Sequence, residues 1–444
     1  MPHLAIAGGA ALRRTPFTPW PQHDERERAG LLEVLEGRNW GGYPFPNTLA
    51  RRFGAAFAAA HGARHGICAA NGTVTLEIAL KACGLQPGDE VIVPAYTFEA
   101  TAAPVLRLGG VPVFVDVRPD TYCLDVQAAE AAITARTRAI MPVHLGMGMA
   151  DMDAVMALAR RHGLRVIEDC AHAHGAQWQG RGAGAIGDAG SFSMQTSKLM
   201  TAGEGGAILT SDDELLELCE SYVNCGRASE TDRFGRRLVG FNYRMTEFQA
   251  AVLLAQLGRL EAQTSRRAER AARLRTALAG VPGIEPLGCD PRVTRQAIYQ
   301  LIVKYDARAF AGASRDRFVA ALELEGIPCD GLFYEPLYRS PLFRVQPGEF
   351  PAVPVAADGG MPWARTRCPV AERAAYEESV WLPHQLLLGS EQDVDDIVAA
   401  IGKLQRYADE LARAEHPLIA VKGTNRAERD RVEAGWASAA PVRP

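Results

Sequence analysis

Residues able to do chemistry concentrate first in the stretch 191–212, SFSMQTSKLMTAGEGGAILTSD, where one lysine stands between small hydroxyl residues and a glycine cluster. The chain carries 48 basic side chains, yet only five are lysines: Lys81, Lys198, Lys304, Lys403 and Lys422. Arginine serves equally well on a solvated face, but only a primary amine can shed its proton near neutral pH and attack a carbonyl. Lys198 is therefore the candidate nucleophile. Upstream, IEDCAHAH places Asp169 at the end of an expected strand and His172 three residues later. NGTVTL sets Gly72 and Thr73 at a helix start, where unpaired amides and the helix dipole favour a phosphate. Ser193 and Gln195 are placed to complete that cradle. In AYTFEAT, Phe98 is the aromatic expected to stack on a flat ring.

These residues together fit pyridoxal 5′-phosphate. Lys198 would bind its aldehyde, and Asp169 would keep its ring nitrogen protonated so that the ring can absorb carbanion electrons. His172 would bond the ring oxygen. Each residue also has a commoner use. A strand-end aspartate is usually a helix cap, a lone phenylalanine is usually core, and NGT is also a turn signal. His172 and His174 resemble a metal pair but lack a matching third ligand nearby, so no metal is expected. The order of phosphate turn, stacker, acid and lysine favours the cofactor over these separate uses.

Positioning such a set requires strands that end where helices begin. HGICAA (65–70), DEVIVPA (89–95), VPVFVDV (111–117), AIMPVHL (139–145) and LRVIEDC (164–170) read as strands, with helical stretches such as TVTLEIALKACG and DMDAVMALARRHG among them. That alternation predicts an α/β fold with a doubly wound sheet, its ligand at the strand ends near Asn71–Thr73, Tyr96–Phe98, His144 and Asp169–His172. GSFSMQ and GGAILTSD are expected strands flanking the lysine. A long helix over 247–280 leads to a smaller α+β domain, where QAIYQLIVKYD reads as strand and SRDRFVAALELEGIPCD as helix. The expected division is a large domain with an N-terminal arm over 1–260, a small domain over 261–405, and a loosely held extension over 406–444.

With 444 residues there is room for a large core, and 48% hydrophobic with 23% charged residues is ordinary for a globular chain. A net charge of −4 offers no footprint for nucleic acid or a membrane surface. Nine cysteines without a C-x-x-C pair read as reduced thiols, and the N-terminal residues do not resemble a signal peptide. A cytoplasmic enzyme with no membrane span is expected. A dinucleotide site is not, since no G-x-G-x-x-G follows the first strand.

The motifs NGTVTLEIALKACGLQPGDEVIVPAYTFEAT, IEDCAHAHGA, GDAGSFSMQTSKLMTAGEGGAILTSD and GFNYRMTEFQAAV, in this order and spacing, resemble the DegT family of sugar aminotransferases, fold-type I pyridoxal phosphate enzymes. The resemblance extends from GRNWGGYPFPNTLARRF (37–53) to WLPHQLLLGSEQDVDDIV (381–398). It implies that Lys198 carries the cofactor, that Asp169 partners the pyridine nitrogen, and that Phe98 stacks. It also implies phosphate contacts from Gly72, Thr73 and Ser193, and from Asn242 of GFNYRM to the neighbouring subunit of a homodimer with shared active sites. His172 departs from the glutamine of many relatives. The branch most like this chain uses L-glutamine or glutamate to aminate a keto-cyclitol or keto-sugar, as with scyllo-inosose or 2-deoxy-scyllo-inosose in aminoglycoside biosynthesis. The alternatives are a dehydratase like 3-amino-5-hydroxybenzoate synthase and a non-catalytic regulatory relative. Tyr334, Arg244 and His384 are further candidates for the substrate pocket.

Overall fold

The structure, a computed structural model, describes residues 2–42, 47–227, 235, 237–346, 348–356 and 359–423. Its strands are β1 (His65–Ala69), β2 (Glu90–Pro94), β3 (Val111–Val115), β4 (Thr137–Ile140), β5 (Arg165–Asp169), β6 (Gln177–Trp178), β7 (Arg181–Gly182), β8 (Ala189–Ser193) and β9 (Gly206–Thr210). Beyond the long helix follow β10 (Ile284–Pro286), β11 (Val293–Arg295), β12 (Gln300–Tyr305) and β13 (Ser379–Pro383).

Seven strands form one sheet in the order β1-β9-β8-β5-β4-β2-β3. Pairs from β3 through β8 are parallel, and β9 runs antiparallel to both of its neighbours. β2 is buried at every position, as a run of EVIVP covered on both faces requires. The doubly wound sheet is mixed, as expected for this fold class, because the Lys198 segment turns straight back from β8 into β9 instead of crossing over by a helix. A second sheet, β10-β12-β13, and a small β11-β6-β7 sheet complete the strands. The third sheet has two-residue members, too short to leave an alternation in the sequence.

Helix ends follow their capping residues. Asn71 accepts from the Val74 amide at 3.0 Å to start the Gly72–Ala82 helix. Thr246 and Gln249 form a capping box at the head of the Glu247–Leu278 helix. The Glu391–Arg406 helix is followed by a short one, Ala408–Arg413, which buries Leu411. Lys422 pairs with Glu323 and with Asp330 at 3.0 Å. The stretch expected to be loosely held is therefore packed as far as residue 423, and 424–444 lie outside the described residues. Among the described residues no helix is long and apolar enough to cross a membrane, and the cysteines are free thiols.

Candidate active site

A cleft of about 1420 Å³ opens where β5 and β8 end. Gly72, Thr73, Phe98, Asp169, His172, Ser193, Gln195 and Lys198 all line it, joined by Tyr299 and Tyr334. Its floor is set by sheet register, which pairs Asp169 with Ser191 and Ser193 with Gly206.

Lys198 sits on the β8–β9 connection with only 8% of its surface exposed. Its Nζ lies 4.5 Å from the centre of the Tyr299 ring. Burial pulls the amine down to about 8, with the Asp169 charge acting in the opposite direction. Asp169 is buried as well. It accepts from the Thr101 hydroxyl at 2.8 Å and the Ala171 amide at 3.1 Å. Burial raises its carboxyl above the ordinary value against the pull of Thr101, Ala171 and Lys198. Two carboxylate oxygens have more acceptor capacity than these two donors use.

The Gly72–Ala82 helix points its first turn at the same cleft. Helix geometry leaves the amides of Gly72 and Thr73 without intrahelical acceptors. A Cβ on Gly72 would stand 2.5 Å from the Ser193 Cβ, so only glycine lets the helix start approach β8 this closely. Gln195 has a second task that its position does not suggest. Its Oε1 accepts from the Ser197 amide at 2.8 Å and the Ser197 hydroxyl at 2.7 Å, bracing the turn that carries Lys198.

His172 is held on both edges. The Gly146 amide donates to Nδ1 at 3.2 Å, which leaves the hydrogen on Nε2, 3.1 Å from the Tyr334 hydroxyl oxygen. Burial keeps the ring well below its usual protonation. Its face stacks on Tyr299 at 4.1 Å. The ring-oxygen role expected of His172 thus meets a nitrogen already engaged by Tyr334, whose own hydroxyl hydrogen remains available to the cleft. Gly146, at φ 61°, makes this possible, because a Cβ there would meet Ile302 Cδ1 at 2.6 Å.

Other expected rim residues lie elsewhere. Asn242 is exposed on a segment bridged to Asn224 and does not line this cleft. His144 is buried in a pair with Glu168, at 2.9 Å. Tyr96 is buried against Ser379 at 3.1 Å. Arg244 donates to the Asn224 side chain at 2.8 Å. His384 approaches the Ser197 carbonyl at 3.2 Å from outside the cleft, and Trp20 donates to the Thr196 carbonyl at 2.8 Å. Tyr299, Thr101 and Trp20 escaped the sequence reading. Tyr299 lies in a hydrophobic strand pattern, and nothing in FEAT or TPW marks the other two.

A desolvated amine, a buried acid with spare acceptors and a helix start closed to any Cβ form a donor set that fits a flat heterocycle carrying an aldehyde and a phosphate. The profile described as the DegT/DnrJ/EryC1/StrS aminotransferase family matches residues 21–402. The chain belongs to this family. Among DegT/DnrJ/EryC1/StrS relatives, a Streptoalloteichus tenebrarius protein provisionally named L-glutamine:3-amino-2,3-dideoxy-scyllo-inosose aminotransferase is 46% identical over 411 residues, 92% of this chain and 99% of that protein. The L-glutamine:2-deoxy-scyllo-inosose aminotransferase of the same organism is 39% identical over 422 residues, covering 92% and 99% of the two chains. The crystal structure of 3-amino-5-hydroxybenzoic acid synthase superposes with a TM-score of 0.78 at 37% identity, covering 91% of this chain and all of that one. NtdA from Bacillus subtilis, solved with bound cofactor PMP, gives 0.75 at 26% identity over 90% of this chain and 88% of that one.

Proposed function

We propose that this aminotransferase uses pyridoxal 5′-phosphate to move an amino group from L-glutamine, or glutamate, to a ketone of a cyclitol or sugar in aminoglycoside-type biosynthesis. The observation that carries the reading is the meeting, in one cleft, of a lysine lowered to about 8 and a buried acid with free acceptor capacity. The relatives named for L-glutamine and scyllo-inosose derivatives, aligned over nine-tenths of this chain, support the donor and the substrate class.

When bound, the cofactor supplies an aldehyde that links covalently to amines and a ring that withdraws electrons from the adjoining carbon. Lys198 Nζ, uncharged in part near neutral pH, takes the proton from the donor α-carbon and returns it at the next stage. Asp169 holds a proton at the ring nitrogen. The Gly72 and Thr73 amides and Ser193 Oγ bind the phosphate, and Phe98 covers the ring. Tyr299, His172 and Tyr334 form a wall that keeps Lys198 desolvated.

Asn242 serves the neighbouring copy of a homodimer. That assembly is supported by its exposure and by the exposed apolar side chains Leu31, Leu32, Leu35, Trp40 and Phe241. In this reading residues 1–260 form the cofactor-binding domain, 261–405 the smaller domain, and the enzyme works in the cytoplasm.

An amino-donor screen tests the reading. Keto acid release from L-glutamine, with borohydride fixing the cofactor on the Lys198 peptide, is the expected result. Water release from a hydroxylated cyclohexenone with no donor required would instead support the synthase-like dehydratase.

A further inference from the structure

Unpartnered polar atoms gather at a second place, beside the turn that carries Lys198 but outside the cleft lining. All three Arg267 guanidinium nitrogens, both His174 ring nitrogens, His384 Nδ1 and Thr264 Oγ1 are buried with no hydrogen-bond partner. None of these four residues is more than 2% exposed. The Ser193 backbone lies near His174 but outside hydrogen-bond geometry.

These residues are neighbours, close enough for the Arg267 charge to act on both imidazoles. Thr264 and Arg267 are three residues apart on one face of the Glu247–Leu278 helix. Thr264 Oγ1 lies 3.7 Å from where a Cβ on Gly175 would stand, which brings the adjacent His174 alongside. The Arg267 guanidinium carbon is 5.4 Å from the Trp20 ring centre, and the same indole meets the His384 ring edge-on at 4.6 Å. Burial first, and then neighbouring charges that include Arg267, keep both imidazoles neutral near physiological pH.

Arg267 stays charged whatever its surroundings, and among the described residues no carboxylate offsets its burial. The Trp20 face compensates only part of that charge. A lone buried cation of this kind needs a counter-ion. The guanidinium, the Thr264 hydroxyl and one His174 N–H make the set rich in donors, which suits an anion, whereas His384 spends its Nε2–H on the Ser197 carbonyl and presents only the Nδ1 lone pair. Arg267 is only 1% exposed, so a partner at its guanidinium has to be enclosed and small.

We propose that Arg267, His174 and Thr264 hold one monovalent inorganic anion of halide size, with His384 packed beside the site. The bound ion would brace the Lys198 turn from behind, since Trp20 and His384 hold the Thr196 and Ser197 carbonyls.

The test uses the protein as purified. Crystals soaked in sodium bromide should give an anomalous peak at hydrogen-bond distance from the Arg267 guanidinium. In solution, replacing chloride by gluconate at fixed ionic strength should lower the thermal midpoint by roughly 3 °C. Arg267→Met should abolish that dependence, and Arg267→Lys should retain part of it. The proposal is overturned by water alone at the guanidinium, by a midpoint insensitive to the exchange, or by an equal response in Arg267→Met. A bromide peak without any effect on the midpoint would mean binding at crystal concentration only, and would also overturn it. If the variants do not fold, the two wild-type measurements still decide.

Discussion

Glu168 and Asp169 are neighbours on β5, both buried, yet the surrounding chain treats them in opposite ways. Glu168 accepts from the amides of Gly184 at 3.0 Å, Ile186 at 2.8 Å and Gly187 at 2.7 Å, and pairs with His144. Burial alone would raise its carboxyl, but His144 and these amides hold it below the ordinary value. Asp169 has one hydroxyl and one amide, and burial wins. Burial therefore does not distinguish a structural acid from a working one; unused acceptor capacity does. The same comparison settles the cluster of His144, Glu168 and Cys170, whose ligand atoms lie within 4.8 Å of one another. Glu168 is saturated, and burial keeps the Cys170 thiol protonated well above its usual range, so the trio is structural.

The sharpest break of this comparison is at the amine that Asp169 faces. Lys198→Ala should lower transamination by about 10⁴-fold or more while leaving the thermal midpoint near wild type, and steady-state assay beside calorimetry checks both. Asp169→Ala should reduce turnover by about 10³-fold, far more than it reduces bound cofactor read by absorbance. Glu168→Ala should do the reverse. It strands His144 and three amides and should cost about 3–5 kcal/mol of stability in denaturant titration, with turnover of the folded fraction little changed. If Glu168→Ala were stable and inactive, the assignment of the two acids would be inverted.

Smaller effects sharpen the site. Gly72→Ala forces a Cβ into Ser193, and the resulting overpacking of about 1–3 kcal/mol should weaken cofactor affinity by roughly tenfold to a hundredfold in equilibrium titration. Because burial depresses the Lys198 amine to about 8, its neutral fraction grows through that pH and then saturates. Cofactor capture by the cofactor-free protein should therefore rise roughly tenfold from neutral pH and level off, whereas an ordinary lysine would keep gaining toward its usual value. His172→Gln should change turnover by less than about threefold, since an amide can accept from Gly146 and donate to Tyr334.

Much of this was legible because the chemistry is local in sequence. Asp169, Gly72 and Ser193 each sit at the end of a strand or the start of a helix, where the period-two and capping patterns locate them, and Lys198 stands on the short connection between two such strands. Tyr299 and Tyr334 were harder to place, since they reach the cleft from beyond the long helix and only tertiary packing brings them there. His144 misled because a histidine at a strand end looks the same whether it faces a ligand or Glu168. Gln195 lines the cleft and also braces the next turn, a second use that its position in the sequence does not reveal. The Arg267 cluster left no signal, since an arginine in an arginine-rich helix reads as solvated until the whole core is assembled.

The pairing of β5, β8 and β9 has a consequence for how such a chain can diversify. Asp169 sits on the β5–β8 ladder, and Lys198 on the turn that leaves the same ladder between Ser193 and Gly206. A one-residue insertion within β8 would put Phe192 on the face of Ser191 and Ser193 and fill the floor with a benzene ring. Tyr299, Tyr334 and Phe98 hang on segments outside that ladder, so the walls they form can be reshaped without shifting its register. The gauge between acid and amine is locked while the mouth stays open to tailoring, which suits a scaffold that meets many differently hydroxylated rings.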